Sequence, residues 1–130
     1  LMDIYVDGFS SEIEAVNSRG DIVLTNITGP VIAENDRGSV IVEFSKINQE
    51  LPSSIVVARG GIDVKMPANS KFSFRAKTPV GDFYTDFDFT SSSRKGSSYR
   101  ERGISGEINN GGVFINLQSL KGDVYLRKLE

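Results

Sequence analysis

In the stretch GDFYTDFDF, residues 81–89, Asp82, Tyr84, Asp86 and Asp88 stand at alternate positions. Alternate side chains of a β-strand share a face and lie roughly 7 Å apart, so these three carboxylates and one phenol would line an outward surface. That separation suits a carboxylate pair working as acid and base on a glycosidic bond, or a weak oxygen-ligand cation site. Tyr84 could stack on a sugar ring. The plainer reading is a solvated strand face whose repelling charges deter edge pairing. It is preferred because no residue nearby promises the apolar setting that tunes a general acid.

A second group follows at once in SSSRKGSSYRERG, residues 91–103, where Arg94, Lys95, Arg100 and Arg102 face only Glu101, with Tyr99 among them. Guanidinium forks suit carboxylate and phosphate, so this segment could grip an acidic glycan, a lipid phosphate or an acidic protein ligand. A Ser- and Gly-rich charged segment is more simply an exposed soluble loop.

Arg19-Gly20-Asp21 matches an integrin-binding tripeptide, yet it sits inside a repeat. NSRGDIVLT, NITGPVIAE and NDRGSVIVE follow one another from Asn17 to Glu43, each with Asn first, Gly fourth and aliphatics at positions six to eight. Gly20 then reads as a turn residue and Arg19 and Asp21 as its solvated flanks, as Arg37-Gly38-Ser39 and Arg59-Gly60-Gly61 do later. Asn26-Ile27-Thr28 fits a glycosylation acceptor, but the repeat already requires that Asn. A calcium β-roll needs Gly-Gly-x-Gly-x-Asp turns; each unit here has one Gly, with Asp only at Asp21 and Asp36. The chain has no cysteine and no histidine, which removes disulfides, thiolate metal sites and the usual imidazole proton shuttle. No cofactor and no metal are expected, and the reading is non-enzymatic.

The formal charge of −2 argues against a nucleic-acid binder, whose footprint is a basic excess on one face. No apolar run approaches the roughly 20 residues that span a bilayer as a helix. At 130 residues one domain is the default. Leu1-Met2-Asp3 opens inside the repeat, so a fragment of a longer exported protein is expected.

The elements that carry these residues are strands. Ile4 and Val6, Ile13 and Ala15, Ile22 and Leu24, Val31 and Ala33, and Val40 and Val42 keep one inward register over five units of about nine residues. Gly20, Gly29 and Gly38 mark turns, and Asn17, Asn26 and Asn35 head them. The best internal match, RGDIVLTNI against RGSVIVEF, has a spacing of 18, two units. A solenoid of stacked parallel strands, each coil giving one strand to each of two faces, fits better than a meander. Later strands are predicted at 55–58, 62–65, 71–76, 83–89, 112–117 and 123–127. Phe72, Phe74, Phe83, Phe87 and Phe89 point inward, and such large rungs suggest a wider coil.

The run MPANSKFSFRAKTPVGDFYTDFDF, then GISGEINNGGVFINLQSLKGDVYLRK after the upstream repeats, resembles a bacterial family of Gly-Asp-type β-strand repeat domains of unknown function grouped as adhesins. The resemblance spans nearly the whole chain and is sharpest at Met66–Asn69, Gly81-Asp82, Asn109–Gly112 and the closing Gly122–Arg127. It implies an all-β, single-stranded, right-handed β-helix in an extracytoplasmic setting: periplasm, outer membrane or cell surface. It brings no catalytic residues. The function expected is a non-enzymatic surface or adhesive binding module. The alternatives are a self-assembling scaffold joined through the solenoid ends, and a polysaccharide-processing β-helix enzyme.

Overall fold

The computed structural model describes residues 3–91 and 103–129. They form thirteen strands and no helix, so no described helix could cross a membrane. The strands are β1 (Ile4–Phe9), β2 (Ile13–Arg19), β3 (Ile22–Ile27), β4 (Val31–Arg37), β5 (Val40–Phe44), β6 (Ser53–Arg59) and β7 (Ile62–Pro67). Then come β8 (Phe72–Lys77), β9 (Phe83–Thr85), β10 (Thr90–Ser91), β11 (Ile104–Ile108), β12 (Val113–Lys121) and β13 (Val124–Leu129). From β1 to β9 the chain alternates between two sheets. One has the order β1-β3-β5-β7-β13-β9, here sheet A; the other runs β10-β11-β8-β12-β6-β4-β2, here sheet B.

Stacking of like on like builds the core. Ile4, Ile22, Val40 and Ile62 stand in register along sheet A, as Ile13 and Val31 do along sheet B. Ile22, Leu24, Val31, Val40, Val42, Ile62 and Val64 are wholly buried, and Ala33 almost so, which confirms the inward phase of the repeat. Burying each such side chain contributes about 1.5–3 kcal/mol.

The turns work differently from the expectation. Of the three Asn residues only Asn26 has a positive φ, 54°, beside a register shift between β3 and β5. Asn17 and Asn35 lie within β2 and β4. Asn35 is buried, and its Nδ2 donates to Gly20 O at 2.7 Å and to Ser39 O at 3.2 Å. The glycines themselves form a column. At Gly38 φ is +141°, and a Cβ there would lie 2.0 Å from Gly20 O; a Cβ on Gly122 would lie 2.1 Å from Gly60 O. Coils close enough to hydrogen-bond leave no room for a side chain at that corner.

The winding is not sequential. β12 runs between β6 and β8, and β13 between β7 and β9, parallel to both neighbours in each case. The last coil is thus slotted into the body of the solenoid. Residues 109–112 carry the chain from β11, across the start of β8, to β12: Phe72 pairs with Ile108 on one side and Val113 on the other. Three left-handed residues in succession, Asn109, Asn110 and Gly111, make this crossing, and Asn109 Nδ2 braces it on Ala68 O (3.1 Å) and Ser70 O (2.7 Å). The Met66–Asn69 and Asn109–Gly112 segments singled out in the sequence therefore meet in one joint.

One predicted feature needs correction. The strand expected over 83–89 stops at Thr85, where Phe87 N turns back to Thr85 Oγ1 (3.1 Å). Phe72–Phe87 (5.7 Å), Phe74–Phe89 (5.2 Å) and Phe74–Phe83 (5.5 Å) are ring pairs that plug the end of the core. The loop assigned to 91–103 lies mostly outside the described residues, but Ser91 ends β10 and Gly103 is buried at the entry to β11.

Candidate functional site: the outer face of sheet A

Parallel register sets Tyr5, Val23, Ile41, Asp63, Tyr125 and Tyr84 in one outward row across sheet A. The last two are ring on ring: Tyr84 and Tyr125 stack with centroids 5.0 Å apart and planes 16° from parallel. Arg127, two residues along β13, lies 5.2 Å above the Tyr125 ring and binds the Asp63 carboxylate through Nε (3.1 Å) and Nη2. Tyr84 is 46% exposed at the sheet edge, so the aromatic pair ends in an accessible ring. Beside it an open cleft of about 450 Å³ is lined by Lys65, Asp86, Arg127, Lys128 and Leu129.

The electrostatics follow from these neighbours. The negative charge of Asp82, whose carboxylate lies 3.4 Å from Tyr84 Oη, pushes the Tyr84 phenol above its ordinary range; partial desolvation, Asp123 and Tyr125 add to it. The Asp63 hydrogen bond and charge push Arg127 up, holding the guanidinium charged.

Of the carboxylates expected to act together, Asp86 is committed to the backbone, its Oδ1 accepting Lys128 N at 2.8 Å. Asp88 is exposed but lies beyond β9, off the row. All four side chains of the alternating 82–88 series are exposed, with the ladder ending at Thr85: Tyr84 joins the outward row, Asp86 supports β13, and Asp88 follows the strand. Arg94, Lys95, Tyr99, Arg100 and Arg102 lie outside the described residues. Among the described residues no three metal-ligating side chains cluster.

Tyr125, Arg127 and Asp63 were missed as site residues. Their partners are 41, 62 and 64 positions away, and no periodicity links them; the signal present was the exposed-phase aromatic Tyr125 in the closing GDVYLR.

The Arg19-Gly20-Asp21 tripeptide falls on the corner of the solenoid. Asp21 Oδ1 accepts Ser39 N (2.9 Å) from the next coil, as Asp3 Oδ1 accepts Asp21 N (2.8 Å) and Asp123 Oδ1 accepts Asp82 N (2.9 Å). That carboxylate is a rung-to-rung link like its equivalents.

Two sheets of mostly parallel strands wound around a shared aliphatic core, with an exposed aromatic and ion-paired face, define a β-solenoid repeat domain. The chain belongs to the Toastrack DUF4097 family, whose model matches residues 2–127; this is a domain of unknown function. No curated protein and no solved structure matches it.

Proposed function

We propose that this domain is a non-enzymatic binding module of an extracytoplasmic protein, adhesin-like in presenting a flat solenoid face, and that it takes a carbohydrate on sheet A. The observation that carries the reading is the Tyr84–Tyr125 stack, with Arg127 set over the Tyr125 ring and paired to Asp63. Backed by Tyr125, the Tyr84 ring at the sheet edge offers one open apolar face, and the charged cleft beside it supplies donors and acceptors for hydroxyls. The winding in this reading is right-handed, the hand that parallel crossovers take. A glycan array probed with the domain and with Tyr84→Ala tests it: binding that falls at least tenfold in the variant supports the platform, and unaltered binding, or none by the parent, removes it.

A second reading, end-to-end assembly, has its own observation. β1 edges sheet A and β2 edges sheet B at one end, whereas at the other end of sheet B β8 is covered by antiparallel β11 and β10. Unpaired edges invite strand addition. Sedimentation over a concentration series decides it: a fixed monomer mass at high concentration rules assembly out.

A further inference from the structure

The corner that precedes the glycine column carries a second column, of cations. Arg19 is registered against Arg37, Arg37 against Arg59, and Arg59 against Lys121. All four are exposed. Adjacent strands lie about 4.8 Å apart, so four positive charges stand in file over roughly 14 Å. Their backbone is locked, since Gly20 N, Gly38 N and Gly60 N donate to Arg37 O, Arg59 O and Lys121 O at 3.0–3.1 Å. None of the four makes an ion pair with a described residue. Asp21 and Asp123, just past Gly20 and Gly122, and Asp3 at the equivalent position of the first coil accept backbone amides instead.

Like charges directly opposite on neighbouring strands are unfavourable. Yet the column persists while the distance between coil equivalents changes from 18 (Arg19 to Arg37) to 22 (Arg37 to Arg59) to 62 residues (Arg59 to Lys121). A corner that needed only solubility would be served by alternating signs. Beside the column, on the outer face of sheet B, runs an open groove of about 720 Å³, its apolar wall made by Val16, Val56, Ala58 and Leu120, with Glu34 and Asp36 between them.

We propose that this groove and its cationic border bind a linear acidic polysaccharide, with the sugar rings against the apolar wall and their carboxylates along Arg19, Arg37, Arg59 and Lys121. The single file of charge fits a thin polymer. A flat anionic membrane would rest on the cationic corner and leave the groove beside it unfilled, whereas a polymer chain occupies both, with Glu34 and Asp36 accepting from its hydroxyls. The proposal stands apart from the sheet A platform and does not rest on it.

The test is titration calorimetry of the domain with polygalacturonate, with dextran as a neutral polymer and with vesicles of phosphatidylserine and phosphatidylcholine. The variants are Arg37→Gln/Arg59→Gln and, with the same charge change on the exposed connections after β5 and before β8, Lys46→Gln/Lys71→Gln. Expected is polygalacturonate binding that weakens with salt and falls roughly fivefold or more in the row variant, each exposed ion pair being worth about a two- to fivefold change. The control variant and dextran show no such change, and both variants melt cooperatively. The proposal is overturned if the parent does not bind polygalacturonate, if the two variants lose binding equally, or if the vesicles bind more tightly than the polymer.

Discussion

Val124 is registered against Ile62 in a parallel pair although five strands separate β7 from β13 in the chain, and on its other side it pairs with Phe83. The closing coil therefore supplies the only ladder described between β7 and β9, and β12 does the same between β6 and β8. Removing residues 113–129 should abolish cooperative folding, not merely shorten the solenoid, because the freed strands have no register to each other. Circular dichroism and a thermal melt of the truncated chain check this; a sharp transition would show that β8 and β9 can close directly on β6 and β7.

Gly122→Ala should destabilise by about 2 kcal/mol or more, since the new methyl would meet Gly60 O, a backbone atom that cannot step aside. Gly61→Ala is the matched comparison: its Cβ would meet nothing closer than Asp123 O at 3.4 Å, and its effect should stay within about 1 kcal/mol. Urea unfolding of the pair measures the difference, and equal midpoints would contradict the column.

Val42 is fully buried between Leu24 and Val64, so Val42→Asp buries a charge with no partner and costs several kcal/mol. The domain should not fold. Arg19→Ala, on the exposed corner, should change stability by no more than about 0.5 kcal/mol. Chemical denaturation of both reads the contrast, and a cooperatively folded Val42→Asp would refute the inward register.

The raised Tyr84 phenol has a definite sign. Because the folded state holds the neutral form, that contribution is present below the ordinary tyrosine pKa and is lost as pH climbs through the higher folded value. Asp82→Asn removes the largest cause and should move the titration down toward the ordinary range. Phenolate absorbance against pH, with Tyr84→Phe subtracted to isolate the group, shows whether it does.

Much of the first half was legible because its register is local. Ile4, Ile22 and Val40 are spaced by one coil of 18 residues, and period-two alternation marks which side is inward. The second half hid its pairing because intercalation places Val124 beside residues 62 and 41 positions away, offsets that no repeat announces. β11 went unrecognised since Gly106 stands at its centre, where a side chain would strike Phe89, 2.5 Å from the Cβ position; a strand without its middle side chain shows no alternation. The 83–89 stretch kept its inward phase, Phe87 being buried, while its ladder ended at Thr85. Hydrophobic pattern reports burial, and hydrogen-bond partners are a separate matter. For the site the same split holds: Tyr84 could be named from its own strand, whereas Tyr125 and Arg127 needed the topology.

The slotted coil also makes the domain mechanically lopsided. A pull on Leu129 loads β13 along its length against parallel ladders on both flanks, so several hydrogen bonds must shear together, whereas a pull on Ile4 draws on β1, an edge strand paired among the described strands with β3 alone. Under tension the molecule should therefore open from β1 inward, shedding one coil at a time, with the wedge of β12 and β13 the last part to give way.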